Sequence, residues 1–147
     1  MAKTYFDTGA LVKLYIVERG SDFVQNIAHR TGAIGINPLQ ETELRNAILA
    51  AEGRRTVSRE AARRSLDNFE EDLQNGVFIR ESPEWAWVYR RADILARQYT
   101  PRFLCRTLDI LHIAAAELSG AERIVTGDQR QQKLAKATGL KVAKVPA

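Results

Sequence analysis

The chain has 147 residues, 45% of them hydrophobic and 27% charged, the length and balance of one ordinary globular domain rather than a disordered or fibrous chain. The longest run without Asp, Glu, Lys or Arg is the ten residues from Thr31 to Gln40, which excludes a membrane helix of about 17 residues or more. A net charge of +4 is too mild to define a partner by itself, so the distribution of charge carries more information than its sum.

In chain order, Thr4-Tyr5-Phe6 is a short buried strand ending at Asp7, and Leu11, Val12, Leu14 and Tyr15 recur at helical spacing up to a break at Gly20. Ser21 is placed to cap a helix with Phe23, Val24 and Ile27 inward, closed by Thr31-Gly32. Ala33 to Ile36 reads as a second strand, and Pro38 suits the first turn of a helix that carries Leu44, Ala47, Ile48 and Ala51 inward and stops at Gly53. Ser58 caps the next helix, with Ala62, Leu66, Phe69 and Leu73 inward and Gly76 at its end. Val77-Phe78-Ile79 is a third strand. Ser82-Pro83-Glu84 starts a helix with Trp85, Val88, Tyr89, Ala92 and Leu95 inward, which Pro101 closes. Thr107 caps a helix through Ile110, Ile113 and Leu118. Ile124-Val125-Thr126 is a strand, Gln129 to Thr138 a helix, and Leu140 to Val145 a last strand. Strands separated by helices predict an α/β fold, a mainly parallel central sheet of about 4–5 strands flanked by helices, in a single domain over residues 1–147.

Arginines outnumber lysines 16 to 6, which favours planar partners such as phosphate or carboxylate. Five of them lie between Arg54 and Arg64 and five between Arg90 and Arg106; each group is either a solvated helix face or the footprint of a polyanion. The one cysteine, Cys105, has no partner for an internal disulfide and fits a reducing compartment. No secretory signal is visible at the N-terminus, and the expected location is the cytoplasm.

Ligand sites of open α/β sheets lie beyond the carboxyl ends of the strands. Asp7 and Asp128 follow strands, Glu43 lies early in the helix after the second strand, and Asp109 lies two residues past Thr107. Each acid alone can be a helix cap or a dipole partner. Together, four like charges in one pocket need a cation, and carboxylates are the hard ligands that magnesium or manganese takes. Two such ions would activate a water and stabilise both oxygens of a phosphodiester displacement.

The stretches Tyr5–Tyr15, Thr42–Ile48, Arg106–Ala116 and Val125–Arg130 resemble, in order and spacing, the successive motifs of PIN-domain nucleases, above all the VapC toxins of toxin–antitoxin pairs. The resemblance covers essentially the whole chain. It implies a three-layer PIN α/β fold and an endoribonuclease dependent on Mg2+ or Mn2+, with RNA as substrate, a cognate antitoxin as inhibitor and a homodimer as its common assembly. It places the four acids of the family on Asp7, Glu43, Asp109 and Asp128, as catalytic and metal-holding residues. Glu41 competes for the second place, but lies about 200° around the helix from Glu43, and the Leu44-Arg45-Asn46-Ala47 continuation favours Glu43. Thr8 and Thr126 fall where the family often has a hydroxyl that orients acids or water.

His112 lies one turn beyond Asp109 as a general base, a supporting residue or a packing one. Arg106 and Arg130, each near a site acid, are the phosphate-binding candidates. Trp87 stands apart from the inward face as an interface anchor or stacking platform. Two other classes compete. An aspartate-nucleophile phosphatase of the haloacid-dehalogenase type would want an acid where Gly9 stands, and a non-catalytic RNA-binding module would have no use for four intact acids.

Overall fold

Seven helices and five short strands follow one another along residues 2–147, the part that this computed structural model describes, with one or two helices between successive strands. In order they are β1 (Thr4–Phe6), α1 (Thr8–Val12), α2 (Ser21–Thr31), β2 (Ile34–Ile36), α3 (Pro38–Gly53), α4 (Arg59–Gln74), β3 (Phe78–Arg80), α5 (Trp85–Phe103), α6 (Thr107–Leu118), β4 (Arg123–Thr126), α7 (Gln129–Ala137) and β5 (Lys141–Lys144). Every strand pair is parallel, as strands joined through helices require. The α/β class expected from the alternation is what the chain adopts. The strands form two ladders, β1-β4-β5 and β2-β3. The chain divides into two compact units, each carrying one ladder.

One unit runs up to Asp7 and resumes over Ser82–Val145. β4 lies between its neighbours, with Ile124 opposite Tyr5 on one side and Val142 on the other. Tyr5, Phe6, Ile124, Val125 and Thr126 are all buried, which is why these strands show an unbroken apolar run instead of alternation. α6 is buried along eight successive residues, Asp109 to Ala116, the signature of a helix enclosed on all sides.

α5 departs from expectation twice. It continues past Pro101 to Phe103, because a proline in the last turn removes only one backbone donor. It ends at Leu104, whose φ of 53° is left-handed and whose N–H returns to the Thr100 carbonyl at 2.8 Å. Tyr89 is 56% exposed rather than inward: Val88, Ala92 and Leu95 fan over about 60° of the helix, and Tyr89 lies about 100° from Val88.

The other unit comprises Thr8–Glu81 with Pro146–Ala147. α3 opens on a reciprocal cap, in which the Asn37 side chain accepts from Gln40 N at 2.9 Å and Gln40 Oε1 accepts from Asn37 N at 2.8 Å, with Pro38 following. Ser58 Oγ caps α4 by accepting from Ala61 N at 3.0 Å. Ser21 does not cap α2; Gly20 holds the cap position in a left-handed conformation, and the Ser21 hydroxyl accepts from Glu18 N instead. Phe69, fully buried, meets Tyr15 and Phe78 edge-on. The Tyr15 hydroxyl donates to Asp72, and burial first, then that carboxylate, holds its pKa far above the ordinary tyrosine value. At Gly35, in the middle of β2, an added Cβ would come within 2.6 Å of the Glu81 carboxylate, the mobile end of a side chain that would have to shift. Among the described residues no helix is long and apolar enough to cross a membrane.

Candidate active site

β1 and β4 are parallel neighbours with Phe6 opposite Val125, so the residues that follow them leave the sheet at the same edge. Asp7 N donates to the Val125 carbonyl at 3.0 Å, carrying the ladder one step beyond β1. At the end of β4, the fully buried Thr126 joins the two loops. Its hydroxyl donates to Asp7 Oδ2 at 2.7 Å and accepts from Asp128 N at 3.1 Å. Asp128 is the N-cap of α7, where Oδ1 accepts from Gln131 N at 2.9 Å. The capping role is therefore real, and it occupies one oxygen of the two.

Asp109 lies in the first turn of α6, 8% exposed. Its Oδ2 accepts from the backbone N of Arg106 at 3.1 Å, so Arg106 holds the cap position and Thr107, expected as the cap, is the first helical residue. The third residue of the helix reaching back to the cap N–H is half of a capping box. The Arg106 side chain then spans two acids, with Nη2 at 3.0 Å from Asp128 Oδ2 and Nε at 3.5 Å from Asp109 Oδ2. Asp7, Asp128 and Asp109 are thus strung together by one hydroxyl and one guanidinium. Arg130 is exposed in the first turn of α7.

In the second unit, the buried Thr8 donates its hydroxyl to Glu43 Oε1 at 3.0 Å. Glu41 does something else. It pairs with Arg80 at 3.2 Å and Arg45 at 3.4 Å, and Arg45 continues to Glu70 at 2.7 Å. The hydrogen bond to Glu41 raises the Arg80 pKa further. This network is structural, and the Glu41–Arg45 spacing of four residues was its signal in the sequence.

His112 is buried, with Nδ1 at 2.7 Å from the Tyr5 hydroxyl, so it ties α6 to β1. The sequence carries no local signal for that pairing, because the partners are 107 residues apart. Cys105 is buried, and burial first, then the negative charge of Asp109, pushes its thiol pKa up; it is a poor nucleophile. Arg54, Arg55, Arg59, Arg63 and Arg64 are all exposed. Trp87 is 57% exposed, with the Arg90 guanidinium 4.9 Å from its ring centre.

The acids offer only carboxylate oxygens, hard donors that suit magnesium or manganese. Among the described residues no three His, Cys, Asp or Glu side chains are gathered so as to hold a metal ion at once. Asp128 shows what the approach of an ion would involve: one of its oxygens is committed to a backbone N–H and the other to Arg106.

Acids at the carboxyl ends of neighbouring parallel strands, held by a buried hydroxyl, define an α/β protein with its candidate site at the sheet edge. The model of the PIN-domain family matches residues 4–137, and the chain belongs to that family. It is also 30% identical over 144 residues to Ribonuclease VapC46 of Mycobacterium tuberculosis (strain ATCC 25618 / H37Rv), an alignment covering 97% of each chain.

Proposed function

We propose that this chain is a divalent-metal-dependent endoribonuclease, the toxin of a toxin–antitoxin pair, which hydrolyses RNA phosphodiester bonds. One observation carries the reading. In a PIN-family chain, the Thr126 hydroxyl holds the Asp7 carboxylate and the loop of Asp128 at one sheet edge. The relative from Mycobacterium tuberculosis, named as a ribonuclease, supports RNA as the substrate. The family match runs through both compact units, which supports one PIN domain over residues 1–147.

In this reading Asp7, Glu43, Asp109 and Asp128 would hold Mg2+ or Mn2+, and Glu43 takes its place from the order of the motifs. The ion, when bound, supplies a Lewis acid for the phosphate and lowers the pKa of the attacking water. The chain's own residues do the positioning. Thr126 orients Asp7, and Thr8 orients Glu43. Arg106 and Arg130, at the N-terminal ends of α6 and α7, meet the phosphates, which guanidinium groups bind through charge-assisted hydrogen bonds. His112 keeps α6 seated through Tyr5. A cognate antitoxin, a homodimer and a cytoplasmic setting belong to the same reading.

The test is incubation of a panel of structured and single-stranded RNAs with magnesium or manganese, beside the same reactions in EDTA. Discrete products that vanish with EDTA are expected. Cleavage undiminished by EDTA overturns the metal reading, and RNA binding without cleavage makes the chain a non-catalytic RNA module. A second outcome follows from Thr126. Thr126→Val keeps the shape and removes the hydroxyl, and groups that orient metal ligands typically cost 10–100-fold on removal. A drop of about that size in cleavage rate is expected, with Thr126→Ser restoring most of it.

A further inference from the structure

We propose that the Arg106 guanidinium is a built-in counter-ion, which competes with the divalent ion for Asp109 and Asp128 and is released when the ion binds. The inference rests on the metal-nuclease reading and adds a regulatory element to it. Asp128 has two oxygens. Oδ1 is engaged by the N–H of Gln131, which holds the start of α7, and Oδ2 is engaged by Arg106 Nη2 at 3.0 Å. An incoming ion and the guanidinium therefore compete for the same oxygen. The Asp109 oxygen nearest the guanidinium, Oδ2, lies 3.5 Å from Nε, so both acids share a single positive charge.

The backbone geometry makes release possible without unfolding. The backbone N of Arg106 donates to Asp109 Oδ2 at 3.1 Å and fixes the residue at the start of α6, while 64% of its side chain is exposed to solvent. The anchor and the clamp are thus separate parts of one residue. The side chain can swing outward while the main chain stays. Two cations on one pair of carboxylates repel each other, so each weakens the binding of the other, and the coupling is reciprocal. With the ion in place, the released guanidinium stands at the rim of the site, where it can take a phosphate of the RNA.

The test is Mn2+ titration by calorimetry into the purified chain without RNA, comparing the wild type with Arg106→Met, Arg106→Lys and Arg130→Met. Linked binding events typically change one another's affinity by about 5-fold or more. Arg106→Met is expected to bind Mn2+ at least about 5-fold more tightly than the wild type. Arg106→Lys, which keeps the charge but lacks the fork that spans two acids, is expected to fall between them. Arg130→Met removes an equal charge from the first turn of α7 without breaking the clamp, and is expected to change affinity much less. Equal gains from Arg106→Met and Arg130→Met would reduce the effect to net charge and overturn the proposal. Unchanged or weaker binding by Arg106→Met, with the wild type still binding Mn2+, would overturn it and leave the metal site standing. No binding by any of the four proteins would contradict both the clamp and the metal reading.

Discussion

Asp7→Asn is expected to lower the rate of RNA cleavage by more than about 100-fold. The substitution keeps the side-chain shape and removes the charge, and the amide oxygen can still accept the Thr126 hydroxyl that now meets Asp7 at 2.7 Å. The fold at the sheet edge is therefore retained while a hard anionic ligand is lost. Substituting groups that merely orient metal ligands already costs 10–100-fold, so loss of a ligand itself should exceed that range. Single-turnover cleavage at saturating Mn2+, beside a thermal unfolding curve, separates lost chemistry from lost structure. A folded Asp7→Asn protein that cleaves within a few-fold of the wild type would remove Asp7 from the site.

The largest effect on stability is expected at Phe69→Ala. Phe69 is fully buried in α4, with Tyr15 and Phe78 rings at 5.6 Å and 5.5 Å, both edge-on, and the Arg45 guanidinium 5.2 Å from its ring centre. Truncating a buried phenylalanine typically costs about 3–5 kcal/mol, because transfer energy and a cavity add. That is a large part of the roughly 5–15 kcal/mol that holds a domain together. Urea unfolding of Phe69→Ala should show the loss as a lower midpoint, and Phe69→Leu should lose less. A change below about 1 kcal/mol would mean that α4 and β3 are not joined by this aromatic cluster.

Much of the fold was legible because the local chemistry and the final structure agree. Asn37, Pro38 and Gln40 mark the start of α3 in the sequence and make its cap in the structure. What the sequence hid was set by distant contacts. The apolar spacing predicts a helix through Tyr15, yet α1 ends at Val12. The chain then tightens into three-residue turns, with Leu14 N on Leu11 O and Tyr15 N on Val12 O, and Tyr15 is held by Asp72 and Ser65 from α4. β3 starts one residue later than the apolar run Val77-Phe78-Ile79, because Val77 N turns back to the Asp72 carbonyl to close α4.

The candidate site divides in the same way. Asp7 and Asp128 are readable as acids after strands, and the parallel β1–β4 register brings those strand ends together. Thr126 and Thr8 were readable only through the family resemblance, since a hydroxyl near a helix start is ordinarily a cap; in the structure each donates to an acid. Arg106 was readable as a cation near the site. Its span across Asp109 and Asp128 was not, because it depends on how the N-terminal ends of α6 and α7 approach one another.

Metal-activated hydrolysis is tested most directly by the chemistry of the cut ends. Hydrolysis by an activated water that expels the 3′-oxygen, the course the PIN-family reading implies, leaves a 5′-phosphate and a 3′-hydroxyl, whereas attack by the neighbouring ribose 2′-hydroxyl leaves a cyclic phosphate and a 5′-hydroxyl. Mass spectrometry of the products from one cleaved RNA, with Asp7→Asn as the blank, reads this directly. The expected ends are 5′-phosphate and 3′-hydroxyl, both absent from the blank. Cyclic phosphate ends made by the wild type and missing from the blank would contradict that chemistry, because they need no metal-activated water.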